Sequence, residues 1–216
     1  MKSWLLEKPE RKNLHLVDIS EPKPGPGQIL VHTTAVSLNF RDKLIIEGSY
    51  PFPLRFPLVP GSDLAGEVVA VGSGVSRFKA GDRVVSLYRP KWLRGVPSRE
   101  ATREALGGPL PGVLAEYVLL SEQGALGYPD YLTPAEASTL PVAAVTAWVA
   151  LFTHGNLKPG DSSASGKRRS LPVCSAIGGG ARRSRVRNFQ KPRQDYAPET
   201  IGSRRGHRYE CEHSME

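Results

Sequence analysis

Residues 58–84 read LVPGSDLAGEVVAVGSGVSRFKAGDRV, and this stretch decides the fold of the first part of the chain. Within it, residues 64–71 are rich in β-branched and small apolar residues, which predicts a strand. Residues 83–87 predict a second strand, and the glycine-bearing segment between the two predicts a turn. Short strands joined in this way are typical of a small antiparallel barrel or sandwich.

Two neighbouring segments predict further strands. Residues 28–37 (QILVHTTAVS) alternate partly between apolar and polar side chains, and residues 113–120 (VLAEYVLL) are mostly apolar. Residues 88–112 predict a long polar loop, and residues 50–60 contain too many prolines for the interior of a strand or a helix. These patterns predict a mainly β domain.

Helix signals appear at two places. Asn39 is a suitable N-cap for a short helix over residues 40–47, with a glycine directly after it. Thr133 and Glu136 carry a capping-box pattern around a proline at the first helical position. Helical segments are predicted to continue from there to residue 152. The fold class is therefore mainly β with short helices.

The character of the chain changes near Asp161. Residues 1–161 hold 17 Lys and Arg against 16 Asp and Glu, whereas residues 162–216 hold 12 against 5 and both cysteines. The turn Lys-Pro-Gly-Asp that ends at Asp161 commonly leads into the first strand of a parallel sheet. An apolar strand is expected next, but the chain continues SSASGKRRS. The basic composition without apolar periodicity predicts disorder over residues 162–216.

The segments 58–84, 112–120 (GVLAEYVLL) and 139–152 (TLPVAAVTAWVALF) resemble the medium-chain dehydrogenase/reductase superfamily, and most of all its zinc-free, quinone-oxidoreductase-like branch. The resemblance implies a GroES-like, partly open β-barrel over residues 1–130 as the catalytic domain. It implies that residues 131–161 are a helical segment leading toward a Rossmann domain. In the family, NADPH or NADH lies in the cleft between the two domains.

The residues that could bind zinc are few. Tetrahedral zinc sites use Cys, His or carboxylate ligands, and residues 1–161 contain no cysteine. Zinc-dependent relatives carry Gly-His-Glu where this chain has a glycine followed by Ser62 and Asp63, so Ser62 stands in the place of the ligand histidine. We therefore expect neither a catalytic nor a structural zinc. His32 and His154 are expected to be ordinary surface or core histidines.

The resemblance also implies site residues. Asn39 and Asp42 match the segment that approaches cofactor and substrate, and Thr146 matches a hydroxyl near the nicotinamide. Tyr50 matches a pocket tyrosine that orients a carbonyl or gives a proton. Leu44 replaces a second tyrosine that is common in relatives, so the proton donor stays open.

Each of these residues also has a structural interpretation. Asn39 is equally suited to capping a helix, and Tyr50 to packing on the neighbouring prolines. Thr146 could bond to the backbone of its own helix. The residues alone leave these alternatives open.

A shifted reading frame accounts for the tail. If the last two bases of each codon are read with the first base of the next, residues 188–209 permit T-S-K-S-P-D-K-I-T-R-L-K-R-L-G-A-D-E-V-I-D-T, which is similar to the family's Rossmann domain. The same shift permits G-G-V-S-L-F-A-L-Q over residues 168–176, similar to the family's glycine-rich turn and the helix after it. We therefore expect a frameshifted tail, no cofactor domain in this form of the chain, and no activity.

The favoured hypothesis is an NAD(P)H-dependent, zinc-independent reductase that transfers hydride to a quinone or an activated double bond. The alternative is a non-catalytic β-barrel whose basic tail binds nucleic acid. The tail has few aromatic residues for base stacking, so a small-molecule substrate is the favoured partner.

Location and association can be predicted as well. No apolar run is long enough for a signal peptide or a membrane span, which predicts a cytoplasmic protein without a membrane partner. The helix that carries Val142, Val145, Trp148 and Val149 is expected to expose an apolar face and to promote self-association.

Overall fold

The computed structural model describes residues 1–158, apart from the side chains of residues 99 and 100. The prediction of a frameshifted, disordered tail over residues 162–216 therefore lies outside the described residues. The chain divides into two compact units, residues 1–145 and the residues from 146 onward, which are described separately here.

The described residues form short strands and shorter helices in the following order: β1 (Lys2–Leu6), β2 (Leu14–Asp18), β3 (Gln28–Ser37), α1 (Phe40–Ile46), β4 (Asp63–Val71), β5 (Arg83–Ser86), α2 (Arg99–Arg103), β6 (Tyr117–Ser121), β7 (Ala125–Gly127), α3 (Pro134–Ser138) and α4 (Val145–Trp148). Single 3-10 turns lie at Arg11–Asn13 and Glu122–Gly124. Two π-helical turns, Leu140–Ala144 and Val149–His154, flank α4.

The strands of the first unit form two sheets. Strands β1 and β2 make a hairpin, and the other five pair in the order β6-β3-β4-β5-β7. Every pair between these strands is antiparallel. The larger sheet curls into a partly open barrel, so the prediction of a mainly β fold is confirmed.

Strands β3 and β4 pair irregularly. The register of this pair shifts twice, at Leu30/Val31 and between Thr33 and Ala35. Gly66 lies opposite this stretch, and a Cβ atom on it would come within 2.2 Å of the backbone oxygen of His32. Only glycine fits such a close backbone approach, and the bulges increase the local twist.

Apolar side chains of the curled sheet form the core. The largest buried cluster comes mainly from β3, β4, β5 and β6, and its members are Ile29, Val31, Leu64, Val68, Val84, Leu106, Val113, Val118, Leu120 and Ala125. A smaller cluster of Leu6, Ile45 and Leu58 joins the hairpin to α1. Helix α1 is therefore anchored by the packing of Ile45, which helps to fix the position of the helix.

Several predicted elements agree with the structure within one or two residues. Strand β3 has the predicted bounds, and β4, β5 and α1 differ from the prediction by a single residue at one end. The predicted capping box of α3 is present, with the side chain of Thr133 accepting from the backbone of Glu136. The hairpin of β1 and β2 and the short strand β7 were not predicted.

Two predictions for residues 88–120 were wrong in part. The stretch 88–112 is not entirely a polar loop, because it contains α2 and the buried residues Ala105 and Leu106. The strand predicted from residue 113 begins at Tyr117. The amide of Val113 instead bonds to the backbone oxygens of Pro60 and Gly61, which takes residues 113–116 out of the regular ladder.

The helical stretch after α3 also differs from an ordinary α-helix. Residues 140–144 are wound as a π turn. Pro141 has no backbone N–H, and the N–H of Val142 bonds to the side chain of Asp63 at 3.2 Å. Regular α-helical bonding is therefore interrupted at the start of this stretch.

The described part of the second unit is helical. The rings of Trp148 and Phe152 lie 4.5 Å apart between centroids. The chain closes this turn with bonds from Gly155 to Ala150 and from Leu157 to Leu151, both 2.9 Å long. Among residues 1–158, no helix is long and apolar enough to cross a membrane.

Candidate functional site

The N-terminus of α1 holds two of the predicted site residues together. Asn39 is the N-cap, and Asp42 is the third residue of the helix, so the two form a capping box. The carboxylate of Asp42 accepts from the backbone N–H of Asn39 at 2.7 Å. Asp42 is 2% exposed, and its Oδ1 has no hydrogen-bond partner among the described residues. The structural interpretation of Asn39 as a helix cap is therefore correct, although it does not rule out a second role.

The side chain of Asn39 points to a buried acid at the start of β4. Its Nδ2 donates to Asp63 Oδ2 at 2.9 Å and lies 3.4 Å from Ser62 Oγ. Ser62 Oγ donates in turn to Asp63 Oδ1 at 2.9 Å. Asp63 is fully buried and also accepts from the backbone N–H of Val142. Both oxygens of this carboxylate are thus hydrogen-bonded.

The backbone around this acid is held from the other side. Ser86 Oγ accepts from the backbone N–H of Leu64 at 2.9 Å and donates to the backbone oxygen of Ser62 at 2.7 Å. Gly61, just before, has φ of 87°, a conformation that favours glycine. Ser86 of strand β5 therefore holds the backbone of residues 62–64, where the chain enters β4.

The protonation of the two buried carboxyls differs from that of surface acids. Burial is the main cause that raises the pKa of Asp63 to about 6, and the neighbouring charge of Asp42 is a smaller cause in the same direction. The hydrogen bonds from Asn39, Ser62 and the Val142 backbone oppose this shift. Burial also raises the pKa of Asp42, against the hydrogen bond from the Asn39 backbone and the charge of Arg41. At neutral pH, Asp63 is mostly ionised and accepts hydrogen bonds only.

Tyr50 lies beside Arg41, which is also on α1. Arg41 Nε donates to the Tyr50 hydroxyl oxygen at 3.2 Å, and the guanidinium carbon lies 4.9 Å from the centroid of the Tyr50 ring. The same guanidinium lies 5.3 Å from the ring of Tyr88 and donates to the backbone oxygens of Leu106 and Gly108. Because Arg41 donates to it, Tyr50 keeps its own hydroxyl proton for another acceptor.

Exposed apolar side chains occur next to both residues in the chain. Leu38 and Phe40, on either side of Asn39, are 55% and 62% exposed, and Phe52 is 65% exposed. The ring of Phe52 meets that of Tyr50 edge to face with 5.6 Å between centroids. Asn39 and Tyr50 themselves are half-buried. Polar groups next to exposed aromatic surface are suited to an organic ligand with a flat ring.

The remaining predicted site residue belongs to the second unit. Thr146 lies on α4 with its side chain exposed. The structure therefore brings Asn39 and Asp42 together and ties Tyr50 to the same helix through Arg41. Thr146 is described only within its own unit, so its predicted place near the cofactor stays a prediction.

The residues that could bind a metal are not grouped. Within residues 1–158, no set of three or more His, Cys, Asp or Glu side chains is arranged to hold a metal ion. His32 is exposed and packs on the ring of Tyr117 with 5.1 Å between centroids. Ser62, where the family resemblance implied the loss of a ligand histidine, bonds to Asp63 and Asn39.

Sequence reasoning missed the roles of Asp63 and Arg41. The segment Gly61-Ser62-Asp63 was considered only as a place for zinc ligands, and Arg41 was not singled out. A charged residue directly before an apolar strand was the available signal for Asp63, because buried carboxylates need partners. No local pattern marks Arg41, whose backbone acceptors lie 65–67 positions further along the chain.

Comparison with known proteins places this arrangement in a family. Residues 25–130 match the model of the alcohol dehydrogenase GroES-like domain. With its fold and its relatives, this shows that the chain belongs to the medium-chain dehydrogenase/reductase superfamily, as the sequence motifs predicted.

Individual relatives agree. The chain is 44% identical over 142 residues to a zinc-type alcohol dehydrogenase-like protein of Schizosaccharomyces pombe, covering 65% of this chain and 41% of that protein. It is 38% identical over 168 residues to a chloroplast envelope quinone oxidoreductase homolog of Arabidopsis thaliana, covering 77% and 45%. The chain thus spans less than half the length of these two relatives.

A solved structure shows the same fold. A protein from Sinorhizobium meliloti, described as an alcohol dehydrogenase, superposes with a TM-score of 0.74 at 43% identity. The superposition covers 82% of this chain and 53% of that one. The chain is thus similar to an oxidoreductase of this superfamily over most of its own length.

Proposed function

We propose that residues 1–161 are the substrate-side half of an NAD(P)H-dependent, zinc-independent reductase acting on quinones or activated double bonds. The pairing of Tyr50 with Arg41 carries this proposal, because it leaves a hydroxyl proton beside an exposed aromatic surface. Members of the superfamily are NAD(P)-dependent oxidoreductases, and quinone oxidoreductase homologues are among the relatives.

The described residues fit a nicotinamide ring but not the rest of a dinucleotide. Asn39 and Tyr50 are half-buried polar groups next to apolar surface, which suits the ring and its carboxamide. A pyrophosphate is usually held at a helix N-terminus after a parallel strand. Strands β1 to β7 pair only antiparallel, so no such unit lies within residues 1–158.

The chemistry divides between cofactor and protein. A bound reduced nicotinamide supplies the hydride. Tyr50 donates a hydrogen bond to the carbonyl oxygen of the substrate, where negative charge develops as the double bond is reduced. Arg41 holds the phenol by its oxygen and ring, so that the proton points away from the guanidinium. Asn39 orients the ligand through its amide.

Zinc independence is part of the same proposal. It is supported by Ser62 in place of a histidine and by the hydrogen bonds that Ser62 and Asp63 make to each other and to Asn39. The variant Ser62→His tests this proposal. It supplies one histidine ligand, but residues 1–161 contain no cysteine to complete a site, so we expect that the variant does not bind zinc tightly. Tight zinc binding by the unaltered 216-residue chain would contradict the proposal.

We also propose that the 216-residue chain does not turn over by itself. The sequence of residues 162–216 does not predict a strand followed by a glycine-rich turn, which is the unit whose binding energy would immobilise a dinucleotide. The test compares this chain with one translated in the shifted frame after residue 161. Oxidation of NADPH or NADH with a quinone or an enone is expected only from the second protein.

Two further predictions remain proposals. Val145 and Trp148 are 55% and 54% exposed, which supports self-association through apolar surface. A cytoplasmic location without a membrane partner is likewise proposed from the sequence. The alternative of a nucleic-acid-binding tail depends on residues outside the described range and stays a prediction.

A further inference from the structure

We propose that Asp63 is the positioning residue of the site: its carboxylate holds the side-chain amide of Asn39 in one orientation at the place where the proposed function puts a ligand. This inference rests on the proposed function, because the orientation of Asn39 matters to a reaction only if Asn39 contacts a ligand. The residues involved are all in the first unit, and their geometry is independent of any cofactor.

The contacts of Asp63 join three segments that are far apart in the chain. Its Oδ2 accepts from Asn39 Nδ2 at 2.9 Å and from the Val142 backbone at 3.2 Å, across 24 and 79 positions of sequence. Its Oδ1 accepts from Ser62 Oγ. One fully buried carboxylate therefore links the N-cap of α1 to the start of the 140–144 turn.

The chemistry of an ionised carboxylate determines how the amide lies. A carboxylate has acceptor atoms only, so the group of Asn39 that faces it must be the donor, Nδ2. The amide oxygen of Asn39 then lies on the side of the first turn of α1. Ser62 Oγ cannot reverse this arrangement, because it already donates to Asp63 and is left as an acceptor for Asn39.

Protonation would remove that constraint. A neutral Asp63 carries one hydroxyl donor and could bond to the amide oxygen of Asn39, which would allow the amide to turn over. Burial raises the pKa of Asp63 to about 6, so this change falls within an accessible pH range. Asp42, on the facing helix α1, is the charged group that acts on Asp63 and favours its neutral form.

The experiment follows the side-chain NH2 signals of asparagine in the uniformly labelled 216-residue protein without ligand. The chain has four asparagines, so replacing Asn39 with Ala assigns its signal. We expect this signal to titrate with a midpoint near pH 6, because its hydrogen-bond acceptor changes charge there. A signal that does not change between pH 4.5 and pH 7.5 would overturn the proposal.

Two variants separate charge from shape. Asp63→Asn keeps an acceptor at the same place and should abolish the titration while the amide of Val142 stays protected from exchange. Asp63→Ala removes the acceptor, and the Val142 amide should then exchange about tenfold faster or more. Asp130→Asn makes the same chemical change at a side chain that is 99% exposed and should leave the Asn39 signal as it is.

The outcomes also distinguish this proposal from the proposed function. If the Asn39 signal titrates in the same way in Asp63→Asn, Asp63 does not position Asn39, whatever the protein catalyses. If Asp63→Ala does not fold, the wild-type titration and its loss in Asp63→Asn still decide the question. If the network behaves as expected but the shifted-frame protein reduces no quinone, only the proposed function fails.

Discussion

Helix α1 separates two polar clusters that are stabilised in different ways. The cluster around Asp63 is buried, makes no ion pair with a cationic side chain among residues 1–158, and depends on hydrogen bonds from an amide, a hydroxyl and a backbone N–H. The cluster around Arg41 has a permanent charge held by backbone carbonyls and two aromatic rings. The charge of the Asp63 cluster therefore changes with pH, whereas the charge of Arg41 does not. Asn39, which bonds to Asp63, is nevertheless only two residues from Arg41 in the chain.

The Arg41 cluster should produce the largest effect when it is broken. Arg41→Ala removes the donor to the backbone oxygens of residues 106–108 and to the Tyr50 hydroxyl. The free energy of unfolding should fall by about 3 kcal/mol. Chemical denaturation should show a loss at both pH 5 and pH 8, because the guanidinium stays charged throughout. Arg55→Ala, at an exposed arginine, should change stability by less than about 0.5 kcal/mol.

The Asp63 cluster should make stability depend on pH in the opposite sense to that of a salt-bridged acid. The pKa of Asp63 is raised in the folded protein, so the folded state binds more protons than the unfolded state between about pH 4 and pH 6. Its contribution is present in full below its ordinary pKa and is lost as the pH rises through about 6. A shift of this size corresponds to about 2–3 kcal/mol.

This pH dependence is checked by comparing denaturation curves of the wild type and Asp63→Asn from pH 4 to pH 7.5. The difference between the two isolates Asp63 from exposed acids such as Glu122 and Glu136, whose pKa values are lowered by backbone hydrogen bonds. Identical pH profiles would show that Asp63 does not titrate in this range. That result would remove the contrast between the two clusters.

A smaller effect is expected from a helix cap away from both clusters. Thr133→Ala removes the side-chain acceptor for the Glu136 amide and should cost about 1 kcal/mol. Thr133→Ser keeps the hydroxyl and should cost much less. Thermal unfolding of the two variants measures this difference, and equal losses would mean that the hydroxyl of Thr133 does not stabilise α3.

How much could be predicted from the sequence depended on the range of the contacts. Strand β3 and the caps at Asn39 and Thr133 follow from patterns within a few residues, and the structure confirms them. The acid at Asp63 is different, because its partners are brought in from α1 and from residue 142 by the folded sheet. Such a cluster is a product of topology, which single-sequence patterns do not contain.

The π turn at residues 140–144 illustrates the same limit. The apolar pattern around Val142 predicted a helix, and the chain is helical there. Its winding is altered because Pro141 lacks an N–H and a distant carboxylate takes the next one. The prediction of a polar loop over residues 88–112 was wrong in part for a related reason. The backbone oxygens of residues 106 and 107 bond to Arg41, which is far away in the sequence.

The role of the Arg41 cluster in catalysis can be tested by removing one oxygen. In the protein translated in the shifted frame, Tyr50→Phe keeps the ring against Arg41 but removes the hydroxyl. If the hydroxyl acts in the transition state, kcat should fall by about tenfold or more, and if it only binds substrate, KM alone should rise. Unchanged values of both would exclude Tyr50 from the reaction.

The most direct test of the central claim is the rate at which NADPH and NADH are oxidised by a quinone or an enone, measured for both proteins. The account predicts turnover by the protein translated in the shifted frame, without added zinc and in the presence of a chelator, and none by the 216-residue chain. Micromolar cofactor binding or turnover by the 216-residue chain itself, or a strict requirement for zinc in the other protein, would contradict it.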